Sequence, residues 1–308
     1  MRAKGDTDEL LFACEILTGV GRAADSLGLV RERIAELSNE TVFKILDAAA
    51  LEIAQGGPRV DNMVSYYIGE ILKQLRARRE TQPEDVARRE YIYLPLLGSS
   101  AGQNKNESLA IHNLMLKDPS FYVSILCDAF RPANERGSAV DKDADPIAQN
   151  RARLGYTLLC NFQTFSTTEG VQFDIAQIED WVKRVREKAV ECDRAEIADL
   201  FVGRYLAHSP PAADVWPKRE FAGLIERIHS QAVERGIMTE RFNMRGVYTK
   251  TFGEGGAQER DLESTYRKWA DKNAPFRKVA GFLLRIADVW SDEGRSADIR
   301  AEQDKLRD

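Results

Sequence analysis

A glycine-rich stretch, TFGEGGAQERD at residues 251–261, is the first candidate for chemistry. Glycine-rich turns that precede a helix often hold phosphate on backbone N–H groups. A P-loop, however, needs a lysine directly after its last glycine, and Lys250 comes before all three glycines. A Rossmann turn needs G-x-G-x-x-G after a buried strand, whereas the spacing here is G-x-G-G, and Glu254 would repel a phosphate. We therefore predict a loop whose glycines permit positive φ before a helix that starts near Gly256.

The three histidines, His112, His208 and His229, are the next candidates, and each stands alone in the sequence. None belongs to an H-E-x-x-H motif or to a spacing typical of metal ligation. We expect His112 to fill a half-buried helix position and His208 to bond terminal carbonyls at a helix end. His229 is expected in the middle of a helix.

Nucleophile and cysteine motifs are also absent from the sequence. There is no G-x-S-x-G elbow and no C-x-x-C pair. The widely spaced cysteines lie in apolar helical patterns, where cysteine behaves as a small hydrophobe, and this favours a reducing cytoplasm. We predict no catalytic, cofactor-binding or metal-binding residue. The cysteines are Cys14, Cys127, Cys160 and Cys192.

One segment, residues 241–269, carries more long polar side chains than packing alone requires. Such a loop is either a binding surface or a hydrogen-bonded corner that locks two helices, and we favour the corner. Its candidate interaction residues are Arg241, Asn243, Arg245, Tyr248, Gln258, Glu259 and Arg260.

Helices must position these residues, because helical periodicity runs through almost the whole chain. Apolar residues recur at three- and four-residue steps over 42–53 and again over 64–75. Asp118-Pro119 is a helix start, while Pro95 should interfere with the helix that begins near Pro83. Only GVQFDI and RGVYTKTF suggest extended structure. About twelve helices are expected, including one over 217–235.

Helices of this length bury their apolar faces only against neighbours. The predicted fold class is therefore all-α, an irregular α-solenoid of stacked antiparallel helix pairs, with a compact orthogonal helical bundle as the alternative. We predict an N-terminal helical segment over 1–131, a polar loop over 132–145 and a C-terminal helical segment over 146–308. The two segments are expected to form one continuous helical array.

Charge and hydropathy exclude several partners. The 44 basic residues are outnumbered by 49 acidic ones, giving a net charge of −5, which is no nucleic-acid footprint. The basic clusters at 76–79 and 88–89 are each followed by an acid, so they are interpreted as solvated helix faces. No apolar run is long enough to span a bilayer. We do not expect binding to nucleic acid or to a membrane. We expect a cytoplasmic location.

Four stretches in a fixed order resemble a known group of proteins. They are YIYLPLL, SLAIHNLMLKDPSFYVSILCDAFRP, RFNMRGVYTKTFGEGGAQERDLESTYRKWA and FRKVAGFLLRIADVW. Together they resemble the C-terminal helical region of large bacterial multi-domain proteins, over residues 40–300, although Ala257 departs from the pattern. The resemblance implies a helical interaction region with regulatory or defence-type neighbours and no assigned catalytic residues. The start, MRAKGDTDEL, would suit a separately encoded piece of a longer protein.

Two functions follow from these observations. The first is a non-enzymatic helical-repeat module that scaffolds a protein partner. The second is a nucleotide- or ligand-dependent regulator or enzyme with its site in the 241–269 loop. A deep pocket lined by Arg241, Arg245, Tyr248 and Arg260 would favour the second. Burial of those side chains against two helices would favour the first. A weaker third possibility is nucleic-acid binding through the arginines at 76–89.

Overall fold

The protein is all-α. A computed structural model describes residues 4–55, 62–97, 105–135, 146–163, 165, 174–251 and 254–305. These ranges hold fourteen α-helices, two short 3-10 helices and no strand. The helices are α1 Lys4–Gly19, α2 Ala23–Arg33, α3 Asn39–Ala54, α4 Asn62–Ala77, α5 Pro83–Leu97, α6 Lys105–Lys117, α7 Pro119–Ala129, α8 Pro146–Cys160, α9 Ile175–Glu191, α10 Ala195–Ala207, α11 Arg219–Arg227, α12 Gln231–Asn243, α13 Ala257–Lys272 and α14 Arg277–Lys305.

The all-α prediction is confirmed, and the packing of helices in pairs fits a helical repeat-like fold. The two predicted stripes are buried, since Ile45 and Leu46 of α3 and Ile71 of α4 are at most 3% exposed. In the RGVYTKTF stretch, the described residues 245–251 form neither a helix nor a strand. The other hint, GVQFDI, falls mostly outside the described residues. None of the described helices combines the length and apolar character needed to cross a bilayer.

Contacts divide the chain into two compact units, 1–121 with 139–158 and 122–138 with 159–308. This division differs from the predicted boundaries because α8 packs with the first unit. The Asn150 side chain of α8 donates to the Pro95 carbonyl at 3.2 Å, and Leu154 is buried. Much of the predicted polar loop, residues 136–145, lies outside the described residues.

In the first unit, side chains distant in sequence cap both ends of α2, one from α3 and one from the residue after α4. The buried Glu52 carboxylate accepts from the Ala24 N–H at 3.0 Å. At the other end, the Arg78 guanidinium donates to the carbonyls of Ile34 and Leu37. An acid at the N-terminus and a cation after the C-terminus both complement the helix dipole. The interpretation of residues 76–79 as a solvated face is therefore wrong at Arg78.

Local chemistry predicts some helix ends correctly and others wrongly. Asp118 caps α7 as predicted, since its carboxylate accepts from the Ser120 N–H at 2.9 Å. Pro95 does not end α5, which continues to Leu97. The predicted helix over 217–235 is in fact α11 and α12, because Ser230 caps α12.

The second unit contains two very close helix crossings, each built on glycine. A Cβ on Gly203 of α10 would lie 2.2 Å from the Val233 carbonyl of α12. A Cβ on Gly236 would lie 2.0 Å from the Leu200 carbonyl. Only glycine lets the two backbones approach this closely. The other crossing joins α13 to α14, next to the candidate loop.

Candidate functional site

The loop between α12 and α13 turns at two glycines with positive φ, Gly246 at +66° and Gly255 at +65°. Helix α13 then begins at Ala257, with Gly256 as its N-cap residue. This confirms the prediction of a glycine loop before a helix that starts near Gly256.

The N-terminus of α13 already holds an anion from the chain itself. Asp298 of α14 accepts from the Gly256 N–H at 2.7 Å and from Arg260 at 2.6 Å. The Gly256 N–H and the Arg260 guanidinium hold the pKa of Asp298 below its usual range. The position that a phosphate would occupy at a helix start is therefore taken by a carboxylate.

Gly256 also sets the distance between the two helices. A Cβ on Gly256 would lie 2.2 Å from the Gly294 carbonyl oxygen of α14. Gly294 is restricted too, though less severely, because a Cβ on it would lie 3.3 Å from the Cβ of Glu259. This crossing fixes where α13, and hence the end of the loop, lies against α14.

Arg241, at the end of α12, is enclosed by aromatic rings. Its guanidinium carbon lies 4.3 Å from the ring centroid of Trp216, 5.4 Å from that of Trp269 and 5.8 Å from that of Tyr266. Arg241 also donates to the Tyr266 hydroxyl at 3.3 Å and to the Ala207 carbonyl at 3.4 Å. Cation–π attraction is strongest where the cation is shielded from water, so Arg241 is an anchor of the loop rather than a free charge.

A buried carboxylate forms the second anchor. The Glu259 side chain is 2% exposed, and its two oxygens pair with Arg245 at 2.6 Å and Lys250 at 2.7 Å. Burial acts to raise the pKa of Glu259, but hydrogen bonds from Lys250 and Arg245 outweigh it, so the pKa is lowered. Lys250 also donates to the Gly255 carbonyl at 2.9 Å, which closes the loop on itself. We call Arg241, Arg245, Lys250 and Glu259 the loop base.

Further hydrogen bonds order the part of the loop that leads into α13. Gln258 donates to Glu254 at 2.7 Å and to the Thr249 carbonyl at 3.0 Å. Glu254 in turn accepts from the Thr251 N–H at 2.8 Å. These bonds connect the first turn of α13 to the chain before it, as expected of a corner.

Above the loop base, four large side chains face solvent. Phe242 is 38% exposed, Met244 45%, Tyr248 49%, and Val247 is completely exposed. Tyr248 rests on the base, since the Arg245 guanidinium lies 3.3 Å from its ring centroid, and Phe242 stacks on Trp290 of α14 at 4.4 Å. We call these four residues the apolar tip.

The seven predicted residues do not share one set of contacts. Arg245 and Glu259 pair in the loop base, with Gln258 beside them, whereas Arg241 lies among Trp216, Tyr266 and Trp269. Arg260 instead binds Asp298. Asn243 is exposed next to the tip. The nearby pocket of about 250 Å³ is lined by Tyr248 and Glu259 but by none of the three predicted arginines.

Sequence reasoning missed the tip residues Phe242, Met244 and Val247. The signal that could have found them is three large apolar residues within one irregular, polar segment.

A second buried cluster, which the sequence did not predict, joins α10 to α12. The Glu240 carboxylate accepts from Arg204 at 2.8 Å and lies 2.9 Å from His208 Nε2. Burial acts to raise the pKa of Glu240, and its partners His208 and Arg204 lower it. His208 therefore contacts a carboxylate rather than the terminal carbonyls that the sequence predicted. With its side chain 8% exposed, it is sealed from solvent and serves packing.

The other two histidines also differ from expectation. His112 is buried rather than half-buried, at 6% exposure, and bonds the backbone at Leu158. His229 lies in the break between α11 and α12, where it contacts the Lys278 ammonium at 2.7 Å. In the described part of the chain, no group of three or more histidine, cysteine or carboxylate side chains is placed to hold a metal.

Comparison with known proteins adds no relative. No protein-family model matches the sequence, and no curated protein or solved structure matches it either. The resemblance to bacterial multi-domain proteins therefore stays a prediction, and the case for function depends on the geometry of the loop.

Proposed function

We propose that this chain is a non-enzymatic helical module that binds a protein partner through the apolar tip. The observation that carries the proposal is four exposed large side chains within residues 242–248, at the end of α12 and on the loop after it, whose base is locked. Single exposed hydrophobic residues are ordinary on protein surfaces. Several of them on one fixed loop are typical of interaction sites.

The locked base favours binding because it removes an entropic cost. A flexible loop must be ordered when a partner binds, at about 0.5–1.5 kcal/mol for each side chain immobilised. Here Arg241 and Glu259 already hold both ends of the tip. Most of the entropy of ordering the loop is therefore lost when the chain folds and not when the partner binds. The tip also contains Phe242 and Tyr248, and aromatic residues contribute strongly to binding energy at interfaces.

The alternative is a ligand-dependent regulator or enzyme that uses the 241–269 loop. Its site would be the pocket of about 250 Å³ beside Tyr248. The ionic groups of the loop base are poorly suited to this, because Glu259 is bound by two cations and Arg241 is enclosed by aromatic rings. A general base or nucleophile must be free to meet its substrate. The geometry supports the interaction module better.

A cellular location and a type of partner are part of this proposal. We place the module in the cytoplasm as a scaffold for one protein partner, in the bacterial regulatory or defence context that the resemblance implies. It needs no cofactor, nucleic acid or membrane.

A matched pair of substitutions tests the proposal. Val247→Lys places a charge in the tip, and Val190→Lys makes the same change at an exposed valine, 67% exposed, in the last turn of α9. A lysine there suits the helix C-terminus. Both variants should fold like the wild type. In affinity purification from the native host, we expect one stoichiometric partner with wild type and Val190→Lys, and its loss with Val247→Lys. Equal recovery with both variants would refute the tip as the interface.

A further inference from the structure

The first unit contains an apolar pocket that is independent of the loop. Its volume is about 210 Å³, and three helices line it, α3, α5 and α8. The walls include Ala50 and Ile53 from α3 and Pro95 and Leu96 from α5. Because it is smaller than the roughly 300–1,000 Å³ of pockets for drug-sized ligands, it suits a small molecule.

Two polar groups in the walls are already satisfied within the protein. The Tyr93 hydroxyl donates to the Leu46 carbonyl. The Asn150 side chain donates to the Pro95 carbonyl at 3.2 Å and accepts from Arg153 at 2.9 Å. These groups form part of the pocket wall, and their hydrogen bonds within the protein mean that they do not need a ligand as a partner.

Arg151 is the exception. It lines the same pocket, is partly buried, and makes neither an ion pair nor a side-chain hydrogen bond with any part of the chain that the structure describes. Two arginines of α5 are engaged in contrast, since Arg88 pairs with Asp118 and Arg89 with Asp47. A guanidinium without a partner beside apolar walls offers two parallel N–H donors, the arrangement that a carboxylate matches.

We propose that this pocket binds a small monocarboxylic acid, with its apolar body between α3 and α5 and its carboxylate on Arg151. The walls select for an aliphatic or aromatic body, because transfer of apolar surface from water into the pocket is favourable. The guanidinium selects for the acid over a neutral or cationic head group of the same body. A multiply charged anion such as inorganic phosphate has no apolar body for the walls to hold.

The test uses the full chain and three probes with the same eight-carbon body, namely octanoate, octanol and octylammonium, titrated by calorimetry. We expect saturable octanoate binding, with octanol weaker by about tenfold, as the loss of a charged hydrogen-bond pair implies. Octylammonium should be weaker still. Octanol binding as tightly as octanoate would overturn the proposal, as would the absence of saturable octanoate binding.

Three variants assign the binding to this pocket. Arg151→Gln should weaken octanoate about tenfold and leave octanol unchanged. Ala50→Leu, which fills the pocket at a partly exposed position, should weaken both probes. Arg79→Gln removes an exposed arginine of the same unit and should change neither. Unchanged octanoate affinity in Arg151→Gln would overturn the carboxylate assignment, and unchanged affinity in Ala50→Leu would overturn the pocket.

Discussion

The Arg245 guanidinium lies 2.6 Å from the Glu259 carboxylate, in a pair whose side chains are only 11% and 2% exposed. This pair connects the loop after α12 to the first turn of α13. With Lys250 on the other carboxylate oxygen, it makes the base of the loop rigid and leaves the tip as the part available to a partner.

The first prediction concerns the charge of Glu259. Glu259→Gln leaves Arg245 and Lys250, whose side chains are only 11% and 23% exposed, without their counter-ion, so the free energy of unfolding should fall by about 3 kcal/mol. Urea denaturation followed by tryptophan fluorescence measures this. Trp181, Trp216, Trp269 and Trp290 all lie in the second unit, so the signal reports that unit.

Glu263→Gln is the matched control for this prediction. It makes the same change one turn along α13, in an exposed pair with Arg267. Exposed pairs contribute about 0–1 kcal/mol, so little change is expected. Equal effects of the two variants would show that Glu259 is not an anchor.

The second prediction concerns the crossing of α13 and α14. Gly256→Ala brings a Cβ to 2.2 Å from the Gly294 carbonyl, so the helices must separate. We expect a loss of about 2 kcal/mol, typical of overpacking. Gly281→Ala in α14 is the control, since the nearest atom would lie 3.9 Å away. That change should stabilise the unit by up to about 1 kcal/mol. If alanine is tolerated equally at both positions, the crossing is not tight.

A third prediction concerns Arg241. Arg241→Lys keeps the charge but loses the planar contact with Trp216 and Trp269, so a loss of about 1–2 kcal/mol is expected. Amide exchange in residues 244–251 should accelerate, because the loop loses an anchor. Arg260→Lys, at a side chain 53% exposed, should leave that exchange unchanged. Slow exchange in both variants would mean that the aromatic enclosure does not order the loop.

The fourth prediction is a pH dependence in the first unit. Burial lowers the pKa of His112 to about 4 from an ordinary value of 6.5. The unfolded chain therefore takes up a proton below pH 6.5 that the folded chain refuses until about pH 4. Stability is complete above pH 6.5 and falls as the pH drops through this window, by about 3 kcal/mol in total.

Urea denaturation followed by circular dichroism at pH 7 and pH 4.5 measures this loss. His112→Leu should remove most of it. His229→Leu, at an exposed histidine, should retain it. If the free energy of unfolding falls as much between pH 7 and pH 4.5 in His112→Leu as in the wild type, other groups cause the effect.

Local patterns predicted those features of the fold that depend on neighbours in sequence. The periodic burial of Ile45 and Ile71 follows from helix geometry, and the cap at Asp118 from its position before a proline. The loop glycines were predictable for the same reason, since Gly255 needs positive φ. These features require no knowledge of which helices meet.

The rest depends on contacts between residues far apart in sequence. Arg241 contacts Trp216 and Tyr266, each 25 residues away in sequence. No local sequence pattern predicts these contacts. Gly256 lies against Gly294 only because α13 and α14 cross there. The polar residues of the loop could be recognised as unusual, but their division into a locked base and an exposed tip follows from tertiary packing alone.

The most direct test of the central claim is an amide-exchange footprint of the chain with its co-purified partner. We expect strong protection of residues 242–248 on binding, with residues around Val190 unchanged. Protection elsewhere with none at 242–248 would show that the partner binds a surface other than the apolar tip.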